Sequence, residues 1–167
     1  EVERIFRLCG AGGDKARVFY NCLDIRRFCN VDGQERIKKR AELGIDEGDK
    51  VIVYTGRLQP YKGVRELLSG FSMMQMPRVK LLIVGGSFYE CGTGNRFIRE
   101  LKRIAGAFKD RVIFTGFVPY ASIPAYYAAA DVAVVPSIWD EPFALTALEA
   151  LASVSYTHLR AHETRSN

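Results

Sequence analysis

Four short runs of apolar, largely β-branched residues recur along this chain: Val51–Tyr54 (VIVY), Val79–Val84 (VKLLIV), Val112–Phe114 (VIF) and Val132–Val135 (VAVV). Each is too short for a buried helix and apolar on both faces, which is how a strand reads when both sides of its sheet are covered. Between them the apolar residues switch to helical spacing: Val64, Leu67, Leu68 and Phe71; then Phe97, Ile98, Leu101 and Ile104; then Ile123, Tyr126 and Tyr127. A charged stretch from Gln34 to Leu43, ending at Gly44, predicts an exposed helix with a glycine C-cap. Strands alternating with helices require parallel pairing through right-handed crossovers. The expected fold is therefore an α/β, Rossmann-like open parallel sheet with helices on both faces, whose ligands bind beyond the carboxyl ends of the strands.

The 167 residues suffice for one ordinary domain, and a hydrophobic share of 48% against 26% charged supports a buried core. No apolar run reaches the roughly 20 residues that span a bilayer, and no signal-peptide pattern opens the chain. The net charge of +5 suits anionic ligands. Its lysines and arginines are dispersed among acids, unlike the concentrated basic face of a nucleic-acid binder, so no nucleic-acid partner is expected. Cys9, Cys22, Cys29 and Cys91 show no C-x-x-C spacing, and both histidines, His158 and His162, lie in the last ten residues. No metal site is expected, nor a histidine general base in the body, and a reduced, cytoplasmic setting is the default. Residues 1–153 are read as one domain. From 154 to 167 the sequence turns polar without periodicity and resembles translated sequencing-adaptor DNA; this tail is expected to be non-native or disordered.

The chemistry should lie in the loops after the strands. After Val51–Tyr54 comes TGRLQPYKG (Thr55–Gly63), where Gly56 permits a sharp turn and Arg57 and Lys62 flank the next helix. Two cations near a helix N-terminus suit a diphosphate; two solvated surface charges read equally well. Gly85, Gly86 and Ser87, followed by Gly92 and Gly94, allow close backbone approach to a phosphate or base, or simply a flexible turn, and do not match G-x-G-x-x-G. In Thr115–Pro119 the backbone around Phe117 and Val118 reads either as a base-edge contact with an apolar wall or as a packed loop.

The most informative stretch is Pro136–Ala152, PSIWDEPFALTALEALA. Pro142 suits the first turn of a helix and Ala144–Ala152 are good helix formers, which puts Glu141 at its mouth. Glu149, eight residues on, would then lie roughly 12 Å along the axis and within about 80° of the same face. The two carboxylates would bracket a phosphate, one facing a sugar and the other a ribose. A helix-capping Glu141 with a solvated Glu149 is the alternative, and it fits poorly with the apolar surroundings of Glu149.

In combination these stretches resemble the donor-binding, C-terminal half of family 4 glycosyltransferases, retaining enzymes of the two-Rossmann-domain GT-B type. The resemblance rests on VFYNCLDIRRF (Val18–Phe28), YTGRLQPYKG (Tyr54–Gly63), LLIVGG (Leu81–Gly86), VIFTGFVP (Val112–Pro119) and YYAAADVAVVPSIWDEPFALTALEALA (Tyr126–Ala152), which occur in family order. It implies that Arg57 and Lys62 hold the donor diphosphate and that Glu141 contacts the transferred sugar, these three being the catalytic set. It also implies that Glu149 holds the ribose. Gly56, Gly86, Phe143, Ala144, Leu145 and Thr146 should line the donor, and Phe117 and Val118 should meet the base.

The implied reaction transfers a sugar from a nucleotide-diphosphate sugar to an acceptor hydroxyl with retention, without a metal or other cofactor. The implied acceptor is a glycan, lipid or protein held by an absent preceding domain, with polysaccharide biosynthesis and peripheral membrane association as the setting. Two departures stand out: Ala144 replaces a common Gly, and Cys22 interrupts an Asn-Gly-Val-Asp turn. The chain is expected to be cut at both ends and, alone, to bind donor without turnover. An epimerase of related fold and a non-catalytic binding module are the alternatives.

Overall fold

The computed structural model describes residues 4, 8–10, 21–29, 31–86, 96–139, 141, 144–153 and 156–159. Its centre is strand β1 (Lys50–Thr55), hydrogen-bonded in parallel to β2 (Val79–Val84) on one side and β4 (Val132–Val135) on the other. Strand β3 (Val112–Gly116) lies outside β2 and β5 (Tyr156–Leu159) outside β4, giving a five-stranded parallel sheet of order β3-β2-β1-β4-β5. The chain winds outward from β1 to β3, then crosses back to β4. The direction reverses between β1 and β4, and a crevice opens at such a reversal.

The helices are α1 (Arg26–Cys29), α2 (Gly33–Glu42), α3 (Val64–Ser72), α4 (Arg96–Ala105), α5 (Ile123–Ala128) and α6 (Leu145–Ser153). Strand alternation sends Leu81 and Ile83 to one face, where Val64, Leu68 and Phe71 of α3 and Phe97 and Leu101 of α4 cover them. Val51, Val53, Leu82 and Val84 face the other side, with Phe28, Tyr127, Ala133 and Ala150. Both faces are thus sealed, as the two-faced apolar runs require.

Three differences from the sequence reading have physical causes. Helix α2 is not merely a solvated surface element. Gly44 follows its end at φ 65° as expected, and Asp32, which the sequence reading does not single out, caps its N-terminus; Arg40, however, is buried and donates to the carbonyls of Ala129, Asp46 and Asp49. Arg36 donates to the carbonyls of Ala128 and Ala130 and to Asp131. Two arginines therefore satisfy the carbonyls left open where α5 ends, a use of charge that an apolar periodicity does not register.

Helix α6 begins at Leu145, so Glu141 stands four residues before it, and the helical arithmetic relating Glu141 to Glu149 does not apply. Last, Tyr156–Leu159, within the stretch read as a polar tail, pairs with β4 as an edge strand. An edge strand needs a hydrogen-bonding partner on one side only, and Tyr and Thr are strand formers. Residues 160–167 lie outside the described residues. No helix among the described residues is long and apolar enough to cross a membrane.

Candidate functional site

The loop that leaves β1 is shaped by backbone requirements. Gly56 (φ 146°) turns it, and the buried Tyr54 hydroxyl donates to the Arg57 carbonyl at 2.9 Å, fixing the first step outward. Leu58 then returns to the core, donating its N–H to the Gly86 carbonyl at the end of β2. A single 3₁₀ turn, Pro60–Lys62, ends at Gly63 in the left-handed region (φ 71°), from which α3 starts. A Cβ on Gly63 would overlap the Pro136 carbonyl, and one on Gly85 would overlap the Gly56 carbonyl. The freedom of Gly63 and Gly85 is thus spent on backbone-to-backbone approach between the carboxyl ends of β1, β2 and β4. Ser87, Gly92 and Gly94 lie outside the described residues.

The loop after β4 meets this one across the crevice. The N–H of Ile138 donates to the Tyr61 carbonyl at 3.0 Å, and the rings of Tyr61 and Trp139 meet edge to face with centroids 5.2 Å apart. Lys62 Nζ donates to Glu141 Oε1 at 2.5 Å, with side chains only 17% and 13% exposed. Ser137 Oγ donates to the same oxygen at 2.5 Å, and the nearby Trp139 indole adds a weaker stabilisation of the carboxylate's charge. Burial pushes the Glu141 carboxyl up, but the Lys62 ammonium, the Ser137 hydroxyl and the Trp139 indole outweigh it and hold the group below the usual carboxylate range. The sequence reading places Lys62 at a diphosphate and Glu141 at a sugar without joining them; in the structure they grip one another. Arg57, exposed, lies on the same loop.

Glu149 reaches the site from α6 and is 5% exposed. The Tyr127 hydroxyl lies 3.3 Å from Glu149 Oε2, 3.2 Å from the Thr146 carbonyl and 2.5 Å from Thr55 Oγ1. Carboxylate and carbonyl only accept, so the single Tyr127 hydroxyl hydrogen is shared between them, and Thr55 donates to Tyr127. Tyr120, in the turn after β3, adjoins Glu149 with its hydroxyl and stabilises the charged carboxylate. Among the described residues no ion pair reaches Glu149. Burial pushes its carboxyl above the ordinary value, and the two tyrosine hydroxyls only partly offset this.

These bonds place Glu149 one hydroxyl relay from Thr55, the residue before Gly56-Arg57. They also bring Val118–Tyr120 beside it: Val118 packs against the core cluster that contains Tyr127, while Phe117 stands 72% exposed. The structure therefore brings together Gly56, Arg57, Lys62 and Glu141 at the β1/β4 reversal. It sets Ala144, Leu145, Thr146 and Glu149 on and before α6, with Gly86 and Phe117-Val118 beyond β2 and β3. Phe143 lies outside the described residues. Sequence reasoning missed Tyr127, Tyr120, Ser137 and Trp139. Tyr127 was counted as an apolar helix position, although a buried tyrosine needs a partner for its hydroxyl, and that requirement was the available signal.

Residues 35–154 match the family described as glycosyl transferases group 1, more than half the chain. The chain belongs to the group 1 glycosyl transferases. An uncharacterized glycosyltransferase of Methanocaldococcus jannaschii is 31% identical over 153 residues, covering 90% of this chain and 37% of that protein. The mannosylfructose-phosphate synthase of Agrobacterium fabrum is 34% identical over 145 residues, covering 83% and 31%. The Anabaena protein HepE, solved in complex with UDP, superposes with a TM-score of 0.74 at 27% identity, over 90% of this chain and 40% of that one. HepE has also been solved with UDP-glucose. This group 1 glycosyl transferase chain thus spans about a third of the length of these relatives.

Proposed function

We propose that this chain is the nucleotide-sugar-binding half of a retaining glycosyltransferase of family 4, operating as the C-terminal domain of a longer GT-B enzyme. The reading is carried by the Lys62–Glu141 pair at the reversal between β1 and β4, on the loop that also bears Arg57. A lysine ammonium carries three donor hydrogens and Glu141 uses one, leaving two for a diphosphate. Glu141, fixed by Ser137 and Trp139, keeps acceptor capacity for hydroxyls of the transferred sugar. Breaking the glycosyl–phosphate bond builds negative charge on the departing diphosphate. Lys62, Arg57 and the first amides of α6 oppose that charge, so the barrier falls without a metal.

Glu149 accepts from the ribose, and Phe117 and Val118 border the base. Uridine is the base to try first, because HepE, which shares the fold and 27% of residues, holds UDP. The acceptor, a glycan, lipid or protein hydroxyl, would be supplied by the other half of the enzyme, at the cytoplasmic face of a membrane in a polysaccharide pathway. Isothermal titration of the chain with UDP tests the site. Millimolar-scale binding, weakened roughly tenfold or more by Arg57→Ala or Lys62→Ala, is expected for a lost charge-assisted contact. Unchanged affinity in both variants would discard the phosphate site.

A further inference from the structure

Glu149 poses a problem that its proposed role does not answer. A carboxylate 5% exposed, with no ion pair among the described residues, is costly to bury and has no reason to point in a defined direction unless something holds it. What holds it is a pair of tyrosines from separate elements. Tyr127, on α5, is buried, and its hydroxyl is held by three partners. It receives a hydrogen bond from Thr55 at the tip of β1 and shares its own hydrogen between two acceptors on α6, the Thr146 carbonyl and Glu149 Oε2. Tyr120, on the turn after β3, is half exposed, with its ring against Phe28 (centroids 6.2 Å apart) and beneath the Arg27 guanidinium at 5.6 Å. Its hydroxyl adjoins the same carboxylate closely enough for each to raise or lower the other's proton affinity.

A carboxylate offers about four lone-pair sites, and two tyrosine hydroxyls leave acceptor capacity for a vicinal diol. Tyr127, on α5, is itself held by Thr55 at the tip of β1, which borders the proposed diphosphate, and Tyr120 sits on the turn after β3, beside the proposed base. The orientation of Glu149 is therefore set by the same elements that would hold the two ends of a nucleotide.

We propose that Tyr127 and Tyr120 are positioning residues that aim Glu149 at the ribose diol, so that selectivity for ribonucleotides depends on the two phenol hydroxyls as well as on the glutamate. This rests on the reading of Glu149 as the ribose acceptor. The test is a titration of the wild-type chain and of Glu149→Gln, Tyr127→Phe and Tyr120→Phe with UDP and with 2′-deoxyuridine diphosphate, followed by calorimetry or by amide NMR. A hydroxyl-to-carboxylate bond in a buried site predicts a wild-type preference for UDP of roughly tenfold, and Glu149→Gln should reduce it towards unity.

Tyr127→Phe and Tyr120→Phe should each lower the ratio by about threefold or more while leaving affinity for the deoxy ligand within about twofold. A purely structural tyrosine would weaken both ligands equally and leave the ratio intact. If Glu149→Gln erases the preference but both phenylalanine variants retain the wild-type ratio, the positioning role is overturned and the ribose reading stands. If the wild type shows no preference, or Glu149→Gln leaves it unchanged, the ribose reading fails and takes the positioning role with it. Tyr120 is half exposed and its ring is kept in Tyr120→Phe, so that variant decides the matter even if Tyr127→Phe does not fold.

Discussion

Gly63 is where the geometry of the site and the stability of the fold meet, and replacing it with alanine separates two costs. At φ 71° an alanine carries the left-handed penalty of about 1–2 kcal/mol. Its Cβ would also overlap the Pro136 carbonyl, a backbone atom that can yield only by shifting the end of β4, for a further cost of about 1–3 kcal/mol. Gly44 supplies the control: its φ is 65°, but a Cβ there meets nothing within 4 Å. For a domain of this size each kcal/mol moves the melting temperature by roughly 2–4 °C. Differential scanning calorimetry should therefore show Gly44→Ala melting roughly 2–8 °C below wild type and Gly63→Ala roughly 4–20 °C below. Gly63→Ala should also weaken UDP binding, since displacing Pro136 displaces Ser137 and Glu141, whereas Gly44→Ala should not. Equal losses in the two variants would refute the claim that the loops after β1 and β4 are seated backbone against backbone.

The two glutamates should respond oppositely to neutralisation. Glu141 has its folded pKa held below the unfolded value of about 4.3, so its contribution is present above that pH and is lost as pH falls through the folded value. Glu141→Gln should cost roughly 1–3 kcal/mol at pH 7, by loss of hydrogen bonds to a charged acceptor, with the melting curves of variant and wild type converging in acid. Glu149 has its folded pKa raised, so the folded state binds its proton more tightly and stability falls as pH rises from the unfolded value through the folded one. Glu149→Gln, which retains an acceptor for Tyr127, should melt above wild type at pH 7 and level with it near pH 4. A Glu149→Gln deficit that is constant from pH 4 to 8 would contradict the assigned electrostatics.

What the sequence made legible follows from how each element is stabilised. β2 and β4 run between the same residues in expectation and structure, because a strand buried on both faces has few positions at which a polar residue is tolerated. The loop glycines were visible too, but their use was not. Gly63 and Gly85 answer to carbonyls at Pro136 and Gly56, contacts that exist only once strands distant in sequence lie side by side. The same limit hid the direct Lys62–Glu141 bond, formed between residues 79 apart, and the Arg36 and Arg40 contacts to the end of α5. The burial of Glu149 was legible, because its neighbours from Leu145 to Ala152 are almost entirely apolar. Its tyrosine partners were not, since Tyr127 fits the apolar face of α5 whether or not its hydroxyl has work to do. The start of α6 shifted because Pro142, a favourable first-turn residue, was read as the helix start, whereas the helix begins at Leu145.

The central claim is that a nucleoside diphosphate sits across the carboxyl ends of β1 and β4. An amide NMR titration of the isotope-labelled chain with UDP, raised to tens of millimolar by the affinity scale adopted above, tests it most directly. The account predicts concerted shifts at Gly56–Leu58, Tyr61–Gly63, Ser137–Trp139 and Leu145–Glu149. Shifts confined to the opposite rim, around Asp49, Val79 and Asp131, or no shifts at saturating ligand, would contradict it.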